Sequence, residues 1–144
     1  MQLTRHTDYA LRTLLFLALR PERRATIEEV ADAFAISRAH LMKVVHGLGQ
    51  AGCLETVRGR NGGIRLARPA AEIRIGEVVR RMEGRLALVE CFDPRAGHCR
   101  IEPACGLRPI LDEALEAFVG TLDRYTVADL VARRRPSLVR LLAR

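Results

Sequence analysis

The stretch TIEEVADAFAISRAHLMKVVHGL, residues 26–48, constrains the fold more than any other part of the chain. It contains two helix starts in close succession. Thr26 with Glu29 forms a capping box, in which the hydroxyl and the carboxylate satisfy each other's exposed backbone N–H. Ile27, Val30, Ala31 and Phe34 then recur at helical spacing and face inward. A break at Ala35–Ile36 precedes Ser37, a second N-cap. The helix that follows turns Leu41, Val44, Val45 and Leu48 to one side, and Arg38, His40, Lys43 and His46 largely to the other. Two helices joined by a tight turn, the second with a basic face, form the helix-turn-helix pattern.

The next residues extend the pattern. LETVRG and GIRLAR are short β-prone runs flanking RNGG. Asn61–Gly62 is a strong hairpin signal, because both residues tolerate positive φ. A hairpin after a helix-turn-helix is a wing, here decorated by Arg58, Arg60 and Arg65. Guanidinium groups at a hairpin tip suit phosphates or a narrow minor groove. The expected DNA-binding residues are therefore Ser37, Arg38, His40 and Lys43 on the helix, with Arg58, Arg60 and Asn61 on the wing. The charge agrees with a polyanionic partner, double-stranded operator DNA: the net charge is +7 and the pI about 10.2. The excess sits in residues 1–70, with 11 basic and 6 acidic side chains against 13 and 11 in residues 71–144.

On either side lie further helices. Residues 5–19 read as one, with Thr4 as N-cap, Pro21 as stop, and Leu11, Leu14, Leu15 and Ala18 on its apolar face. Residues 73–84 read as another. Residues 107–125 form a long amphipathic helix whose stripe runs through Leu107, Leu111, Ala114, Leu115, Phe118, Leu122 and Tyr125. Ile110 and Val119 widen it beyond what a small winged helix could cover, so a second copy of the helix is the expected cover, making a homodimer. Thr126 caps a short helix, and Pro136 breaks it before the tail SLVRLLAR. The expected fold is mainly α, with a winged helix-turn-helix in residues 1–70 and a cysteine loop and dimerisation helices in residues 71–144. The apolar run LLFLAL is too short to span a bilayer, and no cleavage site follows it, so a cytoplasmic protein without a membrane partner is expected. No nucleotide-binding glycine motif, catalytic triad or cofactor lysine points to an enzyme.

Three of the four cysteines, Cys91, Cys99 and Cys105, lie in CFDPRAGHCRIEPAC, spaced C-x7-C-x5-C. Pro94, Gly97 and Pro103 mark this segment as an irregular loop. A structural disulfide suits a cytoplasmic chain poorly. Zinc favours closely paired ligands, and His98 adjoins Cys99, which makes the two awkward partners on one ion. Iron–sulfur clusters accept wider spacing. An iron–sulfur cluster, redox thiols, zinc and unrelated cysteines all remain open on spacing. Cys53 reads as a small apolar packing residue.

Several stretches together carry a resemblance that covers nearly the whole chain: MQLTRHTDYALRTL, ISRAHLMKVVHGL, RGRNGGIRLARP, IRIGEVVRRME, the three loop cysteines, and LDRYTVADLV. They resemble the nitric-oxide-sensing repressors of the Rrf family of winged-helix regulators. The resemblance implies a homodimer with one iron–sulfur cluster per subunit, 4Fe-4S being favoured and 2Fe-2S the alternative. It implies Cys91, Cys99 and Cys105 as ligands, and Asp8, contributed by the other subunit, as the fourth. It also implies a repressor that leaves its operator when nitric oxide reaches the cluster. Family members that sense iron or cluster status use a histidine three residues after the last cysteine; Arg108 stands there in this chain. The gap between the first two cysteines is slightly long for either group.

Overall fold

The computed structural model describes residues 2–93, 95 and 99–142. The chain runs α1 (Arg5–Ala18), α2 (Ile27–Phe34), α3 (Arg38–Gln50), β1 (Leu54–Val57), β2 (Gly63–Leu66), α4 (Ile75–Glu83), α5 (Leu107–Leu122), α6 (Val127–Ala132) and α7 (Arg135–Leu141). Four helix starts have a local cause. The side chains of Thr4, Thr26, Ser37 and Thr126 each accept a hydrogen bond from the backbone N–H three residues on. The capping boxes Thr26–Glu29 and Thr126–Asp129 are complete. Ala35 ends α2 in the left-handed region with φ 52°, which lets α3 start at once. That conformation costs an alanine about 1–2 kcal/mol, so the tight turn is held by the packing on either side of it.

One hydrophobic cluster draws on residues from both sides of position 70. Leu14, Leu17, Val30, Leu41, Val44, Leu48 and Ile64 share it with Ile73, Val78, Val79, Val127 and Val131. The helix α1 lies at its centre, against α2, α3, α4 and α6. For that reason its buried arc is wider than its leucine stripe. Thr7, Ala10 and Thr13 are buried, whereas Leu11 and Leu15 are only half-buried. The Thr13 hydroxyl is satisfied locally, donating to the Tyr9 carbonyl at 2.7 Å.

The wing pairs Leu54 with Leu66 through to Val57 with Gly63, leaving a five-residue loop. The positive φ angles fall at Gly59 (107°) and Gly63 (147°), not at Asn61 and Gly62 as the hairpin signal implied. A turn from Gly59 to Gly62 closes the loop, with Gly62 N–H donating to the Gly59 carbonyl at 2.9 Å. Gly62 is needed there for space, since a Cβ would run into the carbonyl oxygens of Val57 and Gly59. Ala25 exchanges both backbone hydrogen bonds with Ile64, at 3.0 and 2.8 Å. The segment before α2 thus anchors the wing to the helix-turn-helix.

The second half is tied in by a similar device. Ile75 N–H donates to the Tyr125 carbonyl and Val127 N–H to the Ile73 carbonyl, both at 2.9 Å. These bonds fix the start of α4 to the junction of α5 and α6. Pro136 lies in the first turn of α7, so the tail is a helix rather than a break. Arg135 donates to the Leu19 carbonyl at 3.0 Å and Arg20 to the Leu142 carbonyl at 3.1 Å, clipping α7 to the end of α1. Among the described residues no helix is long and apolar enough to cross a membrane.

Candidate DNA-binding face and cysteine loop

The expected DNA-binding residues divide into reachable and engaged groups. Ser37 holds the start of α3, accepting from His40 N–H at 3.3 Å. Its hydroxyl is therefore a cap before it is anything else. Arg38 is exposed but pairs with Glu28 of α2 at 2.6 Å. His40 is half-buried, its ring edge-on to Tyr9 of α1 with centroids 5.0 Å apart. Lys43 is exposed and makes no ion pair among the described residues. On the wing, Arg58, Arg60 and Asn61 are exposed. Arg65 is not equivalent to them: it pairs with Glu55, its cross-strand partner.

Arg24 belongs to this neighbourhood although no sequence pattern marks it. It donates to the Asn61 carbonyl at 3.2 Å and so holds the wing loop from below. The residue sits between two helical patterns, and only the pairing of Ala25 with Ile64 brings it there.

The cysteines fall into two classes. Cys53 is fully buried, and burial pushes its thiol pKa up, so it stays protonated. Cys91 and Cys105 are half-buried and Cys99 is exposed; all four are free thiols. Cys91 sits in a 3-10 turn, Glu90–Phe92, and Cys105 follows another, Glu102–Ala104. Two ion-pair clusters brace the loop. Asp93 binds Arg85 at 2.6 Å and Arg95 at 3.1 Å, and those hydrogen bonds, Arg95 first, hold its carboxyl below the usual range. Arg108, in the first turn of α5, pairs with Glu102. Pro94, Gly97 and His98 lie outside the described residues.

Asp8 is on the first turn of α1, partly exposed, and paired with Arg12 one turn on at 2.7 Å. The Arg12 guanidinium lies 5.9 Å from the centre of the Tyr9 ring. Among the described residues no group of three or more His, Cys, Asp or Glu surrounds a position for a metal ion within the single chain. In their chemistry the donors nevertheless fit an iron–sulfur cluster. Three reduced, reachable thiols are the soft ligands that such clusters take. None of the three thiols is used in packing the core.

The apolar stripe of α5 is only partly covered: Leu111, Leu115, Phe118 and Leu122 are half-buried. Leu107 and Ile110 are 58% and 62% exposed, and Tyr125 just beyond the helix is 53% exposed. Val119 differs from expectation: it is buried within the chain, where α5 packs on α4.

Residues 3–133 match the model of the Rrf2 family, described as an iron-dependent transcriptional regulator. The HTH-type transcriptional regulator NsrR of Geobacillus kaustophilus is 56% identical over 135 residues, covering 93% of this chain and 92% of the relative. The HTH-type transcriptional regulator NsrR of Bacillus subtilis is 49% identical over 143 residues, covering 99% and 97%. Among solved structures, CymR, the global cysteine regulator of B. subtilis, matches with a TM-score of 0.73 at 25% identity, covering 92% of this chain and 97% of that one.

Proposed function

The chain belongs to the Rrf2 family of transcriptional regulators, and from that premise we propose that it is a homodimeric repressor that senses nitric oxide through an iron–sulfur cluster. The observation that carries this reading is the contrast among the four cysteines. Cys53 is sealed in the core with a raised pKa, while Cys91, Cys99 and Cys105 lie within one fifteen-residue segment as free thiols outside the core. Those three thiolates would hold a cluster in each subunit, and Asp8 of the other subunit would supply the fourth ligand. When bound, the cluster would supply iron reactive toward nitric oxide.

The chain's own residues connect that chemistry to DNA. Asp8 is held by Arg12, Arg12 borders Tyr9, and Tyr9 meets His40 on α3. Drawing Asp8 away from Arg12, or releasing it again, changes the contacts of the α1 turn on which the start of α3 rests. In a dimer the same change alters how two recognition helices sit relative to each other. Affinity for a two-half-site operator depends steeply on that fit, because the second half-site binds intramolecularly. The exposed Leu107 and Ile110 at the start of α5 support a second copy as their cover.

The family description favours a second reading, a sensor of iron or cluster status. Arg108, engaged with Glu102, stands where that group carries its histidine ligand, which favours the nitric oxide reading. The test is an operator-shift assay on protein purified without oxygen, challenged separately with nitric oxide and with an iron chelator. Release by nitric oxide supports the proposal. Release by the chelator alone supports the second reading.

A further inference from the structure

The solvent face of α3 differs from the one that charge alone picks out. Leu41, Val44, Val45 and Leu48 are buried, and His40 leans on Tyr9. Beside Arg38, which is tied to Glu28, the outward residues include Ala39, Met42, Lys43 and His46, spaced i, i+3, i+4 and i+7 along one face. Met42 is 53% exposed. A single exposed apolar residue is ordinary on a protein surface. Met42 is set apart by its address. Among the described residues the other large apolar side chains left exposed are Ile101, Leu107, Ile110, Tyr125, Val139 and Leu141, all in the second half of the chain. Met42 is thus the one such side chain on the winged helix-turn-helix, and it sits in the middle of the face that Lys43 and His46 make basic.

The major groove offers one apolar group for such a side chain to meet, the 5-methyl of thymine. We propose that Met42, with Ala39 one turn before it, reads thymine methyl groups in each operator half-site, while Lys43 and His46 beside it meet phosphates or hydrogen-bonding base edges. The proposal rests on α3 being the helix that enters the groove. A thioether side chain suits the role because it is unbranched and polarisable and can follow a methyl's position. Met42 is more than half exposed and is not one of the buried core residues, so Met42→Ala should leave the fold intact.

The test uses the full-length dimer and a duplex selected from a random-sequence library by the wild-type protein. Each thymine in that duplex is replaced in turn by deoxyuridine, which removes only the methyl group. The wild-type protein should lose affinity about three- to fivefold at one or two positions per half-site, the worth of one buried methyl contact. Met42→Ala should bind the unmodified duplex more weakly by a similar factor and be indifferent to deoxyuridine at those positions. Equal sensitivity of wild-type and Met42→Ala to every deoxyuridine, or no sensitivity in either, overturns the proposal. Lys43→Ala separates that failure from failure of its premise. If Lys43→Ala weakens binding, α3 reads the groove and Met42 does not read thymine. If neither variant changes affinity, α3 is not the reading helix and the proposal falls with it.

Discussion

At the scale of single residues, similar side chains have different uses, and burial and pairing tell them apart. Cys53 fills core space, so Cys53→Ala should cost about 1–2 kcal/mol of stability through the cavity it leaves, yet keep iron and sulfide in protein purified without oxygen. Cys91→Ala, Cys99→Ala and Cys105→Ala should each lose the cluster while melting close to wild type as apo-protein. A Cys53→Ala protein without iron, or a loop variant with its full complement, contradicts the assignment. The wing arginines divide in the same way. Arg60 is exposed at the loop, so Arg60→Ala should reduce the slope of log affinity against log salt by about one unit. Arg65 is tied to Glu55, and Arg65→Ala should leave that slope nearly unchanged. Titrating DNA affinity from low to moderate salt checks both. In the sequence Arg65 shares the wing with Arg58 and Arg60 but stands outside the expected DNA-binding set. What separates Arg65 is the strand register, which sets it opposite Glu55.

At the scale of elements, close approaches decide which changes the fold tolerates. Gly63 combines a φ of 147° with a backbone neighbour, since a Cβ there would lie 2.7 Å from the Ala25 carbonyl oxygen. Gly63→Ala should therefore separate the wing from the segment before α2, destabilise the protein by about 1–3 kcal/mol, and raise amide exchange at Ala25 and Ile64. Exchange rates equal to wild type would show that the anchor survives. The α4–α5 contact is held by an ion pair, Arg80 with Asp123, next to Gly76. The hydrogen bond from Arg80 depresses the Asp123 pKa. Its contribution to stability is then present above the unfolded pKa, near 4, and is lost as pH falls through the lower folded value. Asp123→Asn should cost at most about 1 kcal/mol at neutral pH, as expected of a partly exposed pair. The difference from wild type should vanish at strongly acidic pH in denaturant titrations. A difference that persists there would assign the effect to packing. Helix starts were legible because capping is local: Thr4, Thr26, Ser37 and Thr126 each satisfy a donor three residues away. Elements that depend on distant partners were not legible. The Ala25–Ile64 pairing joins residues 39 apart, and the tail's return to α1 depends on carbonyls at Ala18 and Leu19 meeting Arg135. Pro136, read as a break, is as much a helix starter as a stop, and only those contacts decide between the two.

At the scale of the molecule, the proposed homodimer has its main support in α5. Leu107 and Ile110 are exposed in the single chain, on a helix whose one buried residue is Val119. Ile110→Asp should leave a folded monomer by sedimentation, with operator affinity lowered by several hundredfold or more because the half-sites are no longer linked. A dimer of unchanged affinity would move the interface elsewhere. Asp8 stayed ambiguous in the sequence because an acid in a first helical turn is common. In the structure it is an ion-pair partner of Arg12, and only a second subunit could give it the other role. In the proposed function DNA binding depends on a nitric-oxide-reactive cluster held by the loop thiols. The most direct measurement is a titration of oxygen-free protein with nitric oxide, following visible absorbance and operator occupancy in the same samples. Occupancy should fall as the cluster absorbance is lost, and Cys99→Ala should show neither the absorbance nor the response. Operator occupancy that stays constant while the absorbance disappears would contradict the proposed function.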